Sequence, residues 1–239
     1  LAHAPRADIN VTEMIESVQS SLADPESADA DRSRGMVALG SLLLRVDRRQ
    51  EAASVLLAMA TDYPDHPESG STLEHAARLA LRGHLSDRSN AAWKRLADST
   101  LHRLLTGYPE LVGMDGWRVA AARLAAGDGR LQESLAIYDA VRPGSSEYEN
   151  AIQEGAVLIL GLSRGEHAKF TPGVAVEELQ RRRARGAEAT QVAVDLLLVE
   201  ALIEDGRSPE AAALVNTLDG LPLADEQRGR IETLRLRCA

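Results

Sequence analysis

Four stretches bring chemistry-bearing side chains close together. The sharpest is Gly161-Leu162-Ser163-Arg164-Gly165, which has the Gly-x-Ser-x-Gly spacing of a nucleophile elbow and follows an apolar run, residues 156–160, that could be a buried strand. A hydrolase of that kind needs a histidine after the serine to take its proton, and a carboxylate to hold the imidazole. His167 lies four residues on and no histidine follows it. Tyr148, Ile152, Gly155, Ala156 and Ile159 also share one face at helical spacing, so the segment reads as the end of a helix. Gly127-Asp128-Gly129 opens like a dinucleotide-binding loop, but Gln132 stands where the third glycine belongs and a helical pattern precedes it; these glycines read as a helix stop. His66, Glu74 and His75 are metal-ligand types without zinc-protease spacing, and adjacent Glu74 and His75 point to different sides of a helix. Arg181, Arg182, Arg183 and Arg185 form the basic cluster, read as a solvated helix end favoured by the helix dipole, with an all-α regulator gripping an acidic ligand as the alternative.

The elements that must position these residues follow from composition and period. A chain of 239 residues, 44% hydrophobic with 3% aromatics and rich in Ala and Leu, can bury a sizeable core and favours helix over sheet. The net charge of −9 repels a nucleic-acid duplex, and no aromatic lies within the basic cluster to stack on single strands. Lys94 and Lys169 are the only lysines among many arginines, which looks like GC-rich coding. The single cysteine, Cys238, rules out an intrachain disulfide and a cysteine-only zinc cage, and leaves the compartment open between cytoplasm and an extracytoplasmic space. No apolar run approaches the roughly 20 residues of a membrane helix, so direct membrane insertion of this segment is not expected. The start at Leu1 reads as a processed or shortened end, and the first four residues, LAHA, resemble the remains of a signal-cleavage region.

Val11, Met14, Ile15, Val18 and Leu22 mark a first helix, ended by Asp24-Pro25. Met36, Leu39, Leu43 and Val46 mark a second; Ala52, Val55, Leu56 and Met59 mark a third before Tyr63-Pro64. Further helices are predicted near residues 68–82, 88–106, 110–126, 131–141, 147–163, 173–185, 188–204, 209–218 and 224–237, about twelve in all. The short connections at Asp47, Asp87, Gly129 and Gly206 lie about 40, 42 and 77 residues apart, so the repeating unit is a helix pair, which must stack on neighbours to bury its apolar face. Residues 1–239 read as a single helical-repeat domain of a longer protein, a globular helical bundle being the alternative; residues 163–173 are the loosest connector.

Residues 33–66 resemble a tetratricopeptide repeat. The resemblance lies in Met36, Leu39-Gly40 and Leu43, followed by Ala52, Leu56, Met59 and Pro64 at the family's spacing. Gly40 and Ala52 are small where two helices approach closely, and Leu39, Leu43 and Leu56 fill the space around that contact. The pattern returns in part from Gly206 through Ala211, Val215, Leu218 and Pro222, and from Gly129 through Ser134, Tyr138 and Val141, and more weakly at Ala92 and Leu96. The resemblance implies a right-handed α-α superhelix of stacked antiparallel pairs that binds a protein or peptide in the groove lined by the first helix of each pair; no catalytic constellation in the sequence is complete, so a non-enzyme without cofactor or metal is expected. Arg34, Val37, Ser41 and Arg45 occupy that face on the best-aligned repeat; Val119, Arg123, Leu196, Glu200 and Glu204 occupy it on the weaker alignments. Arginines toward one end and carboxylates toward the other would set the direction of a bound peptide. Members that grip a C-terminal carboxylate use an Asn and Lys/Arg set, whereas this chain has Ser41 and Leu44 on the corresponding face. The competing class is a hydrolase built on Ser163.

Overall fold

The computed structural model describes residues 10–165 and 170–238; the LAHA start and His167 lie outside them. The described residues form twelve α-helices and no strand. They divide into two compact units, Leu1–Met114 and Asp115–Ala239, with the boundary at the first residue of a helix rather than in a linker.

The first unit holds α1 (Val11–Ala23), α2 (Asp29–Arg45), α3 (Arg49–Asp62), α4 (Ser69–Ser86) and α5 (Ala91–Gly107), each packed on the next. Asn10 starts α1 by accepting from the backbone N–H of Thr12, and Asp24 stops it in the extended conformation that a following proline favours. Ile15, Leu39, Leu42, Leu43 and Ala52 form the core joining α1, α2 and α3. At Gly40 a Cβ would lie 2.7 Å from a Leu56 methyl, and Ala52 is fully buried, so both small residues stand where α2 and α3 close on each other.

The second unit holds α6 (Met114–Gly127, from its second residue), α7 (Leu131–Asp139), α8 (Tyr148–Arg164), α9 (Pro172–Arg183), α10 (Glu188–Glu204), α11 (Ser208–Asp219) and α12 (Asp225–Cys238). Thr171 caps α9, and Pro172 at its first position needs no N–H partner. α10 packs against α8, α9, α11 and α12, and is accordingly apolar around most of its circumference.

Three of the short connections share one geometry. Asp47, Gly129 and Gly206 have φ of 60°, 76° and 76°. In each case the next N–H closes back on the helix, from Arg48 to Leu43 O at 2.9 Å, Arg130 to Ala125 O at 2.9 Å and Arg207 to Leu202 O at 2.8 Å, satisfying carbonyls at the helix end. The same arginines then reach a glutamate three residues on, in the pairs Arg48–Glu51, Arg130–Glu133 and Arg207–Glu210. Asp87 departs from this turn. Its carboxylate accepts from Ser89, and Asn90 caps α5 through the N–H groups of Ala92 and Trp93, which is why α5 starts at Ala91 rather than near residue 88. α6 likewise starts at Met114 rather than 110, because Gly113 turns the chain with φ of 80°.

Candidate functional site

In the first unit, α2 presents Arg34, Val37, Ser41 and Arg45 along one side; both arginines and Ser41 are exposed, and Val37 is half-buried. Val37, Ser41 and Leu44 line a cleft of about 280 Å³ whose other side is Ser71, Thr72 and His75 of α4, with Leu56 of α3 between them. Helical spacing puts these α4 residues on one face, opposite Leu73, Ala77 and Ala80 of the core. The polar stripe on α4 went unread in the sequence because the second pair matches the repeat pattern weakly at its turn. Ser41 donates its hydroxyl to Val37 O at 3.0 Å, and Arg34 stands 4.0 Å from Asp31 with both side chains about three-quarters exposed, so neither is held against another helix.

The second unit disposes of its corresponding residues differently. Val119 is buried with Ala122, Tyr138, Val141 and Ala151, and Leu196 is buried in the cluster around α10; neither faces outward, a correction to the sequence expectation. The packing of α10 on four neighbours leaves Leu196 no free side. Arg123 makes a two-pronged bond to Glu154 of α8, at 2.9 and 2.5 Å, and Tyr138 of α7 donates to the same carboxylate. The Arg123 guanidinium holds the Glu154 carboxyl below its ordinary range, while burial and Glu154 push the Tyr138 hydroxyl up. Glu200 and Glu204 are both engaged by Arg164 of α8 at 2.6 Å, and Glu200 also by Arg230 of α12 at 2.5 Å. Burial pushes Glu200 up, but the two arginines outweigh it and hold its carboxyl below the ordinary range. These charges are fasteners between helices, not an unengaged acidic end of a groove.

The sequence motifs resolve in the same way. Ser163 lies inside α8, donates to Leu160 O at 2.8 Å and follows helix, not strand, so the elbow geometry is absent at this serine. Gly127 and Gly129 end α6 and turn the chain into α7. His66 Nδ1 accepts from the N–H of Glu68, and no cluster of three metal-ligating side chains occurs among the described residues.

Three arginines of the basic cluster, Arg181, Arg183 and Arg185, are exposed around the end of α9, each with an acidic partner, and the fourth, Arg182, is buried. Arg181 pairs with Glu178 at 2.8 Å, and Arg183 contacts Asp195, whose carboxyl burial pushes up against that contact. Arg182 is 3% exposed, bonds Asp139 at 2.6 Å, and its guanidinium fills the space at Gly155, where a Cβ would lie 2.4 Å away. Arg185 reaches the same Asp139 at 3.2 Å and sits 5.8 Å from the Tyr148 ring centre. The solvated helix end therefore holds for Arg181, Arg183 and Arg185, whose charges are paired within the chain, and is corrected at Arg182, which with Arg185 closes on Asp139 as a clasp among α7, α8 and the end of α9. Among the described residues no helix is long and apolar enough to cross a membrane. No protein-family model matches this chain, and no curated protein matches it by sequence.

Proposed function

We propose that the chain is a non-catalytic interaction scaffold of stacked helical hairpins, of the tetratricopeptide kind, and that its first unit receives a peptide or protein segment in the cleft between α2 and α4. The observation that carries this reading is that Val37 and Ser41, chosen from the sequence as groove residues, line an open cleft with α4, while the matching positions of the second unit are buried or ion-paired. Supporting it are the Gly40 approach to Leu56 and the hairpin turn repeated at Asp47, Gly129 and Gly206, features that an array of like units would carry.

The test is affinity capture from an extract of the source organism with wild-type chain and two variants, Ser41→Arg and the pair Arg34→Glu/Arg45→Glu. These positions are exposed, so the helical signal in far-UV circular dichroism should be unchanged. Filling the cleft mouth at Ser41 should lower affinity for the recovered partner about tenfold or more, roughly the loss of one strong contact. Equal affinity in both folded variants would move the binding surface elsewhere. Arg123 is unsuited to this test, since reversing it breaks the bond to Glu154.

A further inference from the structure

The cleft between α2 and α4 is not isolated. It shares Ser71 and His75 with a second cleft of about 450 Å³ that follows α4 to Arg78, Leu79 and Arg82. The second shares Leu79 and Arg82 with a third, of about 750 Å³, which opens at the hairpin-turn end of the unit beside Ser54 of α3, Ser86 of α4 and Trp93 of α5. The three together follow α4 over its 18 residues, about 27 Å, a length matched by roughly eight residues of extended peptide.

Charge in the third cleft is mostly spent. Arg48 is bonded to Glu51, Arg49 stands 2.6 Å from Asp47, and Asp87 accepts from Ser89, which holds its carboxyl below the ordinary range. Arg82 is exposed, lies where the second and third clefts meet, and makes no side-chain ion pair or hydrogen bond among the described residues. In the third cleft Trp93 lies so close on α4 that a Cβ at Gly83 would fall 2.2 Å from the indole, which fixes the ring as part of the cleft wall. A single unspent guanidinium and a fixed aromatic ring lining one cleft suit one carboxylate and one planar or bulky apolar group. A nucleotide would bring several phosphate charges to one free cation among Asp47, Glu51 and Asp87.

We propose that the segment bound along α4 carries an acidic side chain for Arg82 and an aromatic side chain for the Trp93 cleft, so that the turn end of the first unit is a specificity subsite. This rests on the scaffold reading, and its test separates the two. Randomised ten-residue peptides are selected on the full chain, and the enriched peptides are synthesised with a fluorescent label for anisotropy titration. The expected consensus holds an acidic and an aromatic residue at fixed spacing. Arg82→Glu should weaken such a peptide about tenfold, and the same peptide with Lys in place of its acid should regain affinity for that variant. Ser86→Arg, at an exposed position, should block the ring without disturbing the packing of Trp93 on Gly83. If Ser41→Arg abolishes binding while Arg82→Glu and Ser86→Arg leave it unchanged, the subsite is wrong and the groove stands. Enriched peptides without the acid and ring pair also overturn the subsite. If no peptide is enriched, or none of the three variants matters, both readings fall. Competition by ATP that depends on Arg82 would overturn the peptide as occupant.

Discussion

The two units carry polar side chains off the apolar faces of their helices and use them in opposite ways. In the second, Arg123 ties α6 to α8, Arg164 ties α8 to α10, and Arg230 ties α10 to α12. In the first, the facing sides of α2 and α4 leave a cleft between Val37 and Ser41 on one helix and Ser71 and His75 on the other. The lesson concerns what a polar stripe on a helix means. Periodicity says that a side chain is off the apolar face; whether it then meets water, a ligand or another helix depends on residues 30 to 40 positions away, as Glu154 is from Arg123 and Glu200 from Arg164.

The largest test of that contrast is to break the buried clasp of the second unit. Asp139→Asn removes the carboxylate that faces Arg182, leaving a 3% exposed guanidinium whose Nε already lacks a hydrogen-bond partner. An uncompensated buried charge costs about 3–5 kcal/mol, reduced here because Asp139 is itself 45% exposed, so a loss of roughly 2–4 kcal/mol is expected in denaturant unfolding. Adding Arg182→Met should recover most of it, since a well-packed apolar chain can replace a buried pair at little cost. A single variant as stable as wild type would show that the clasp is not what holds α7 and α9 together.

Acidification should separate the units next. Glu154, Glu200 and Asp115 of the second unit have folded-state pKa values below their ordinary ones: Glu154 mainly through the Arg123 bond, Glu200 and Asp115 because flanking arginines outweigh burial. Each therefore contributes stability that is fully present above its unfolded pKa, near 4, and lost as pH falls through the depressed folded value. Asp195 works the other way: burial raises its pKa, so its ionisation costs stability as pH rises through that value. These three carboxylates outweigh the one and make the second unit lose stability in acid; Glu210 is lowered too, by Arg207, but is exposed and screened. In the first unit the lowered carboxylates, Glu51 and Asp87, are exposed and water screens their interactions. Hydrogen exchange from pH 6 to pH 3, corrected for intrinsic rates, should show α8 and α10 losing protection before α2 and α4. The reverse order would contradict the fastener role of the ion pairs.

Much of this architecture was legible locally. The twelve helices follow from period and breakers, and the turns at Gly129 and Gly206 from glycine placed just after a helix. The start of α5 was misplaced because the capping oxygen of Asn90 outweighs the helical pattern before it. Leu196 was assigned to a groove by alignment with the first repeat, although the continuous apolar run from Leu196 to Val199 already signalled a helix buried on all sides. Gly155 falls on the apolar helical face by its spacing, but why it is glycine cannot be read locally. Its reason is the guanidinium of Arg182, 27 residues later, and no local pattern announces which residue will fill a notch.

The smallest expected effect compares the hairpin turns themselves. Asp47, Gly129 and Gly206 occupy the same left-handed position after a helix, and Asp47 is the non-glycine there, with φ of 60°. A Cβ in that region crowds the carbonyl oxygen, costing roughly 1–2 kcal/mol for an ordinary residue and less for Asp, whereas glycine pays nothing sterically. Asp47→Gly should therefore stabilise the first unit by about 0.5–1 kcal/mol. The change gives up the contact of Asp47 with Arg49, but both side chains are more than half exposed and such a pair contributes little. Asp47→Ala keeps the crowded conformation and loses the pair, so it should destabilise slightly. Thermal unfolding of the two variants measures the difference, and an Asp47→Gly chain no more stable than Asp47→Ala would mean that the turn is held by the Arg48–Glu51 clip and the closing bond to Leu43, with backbone strain contributing nothing.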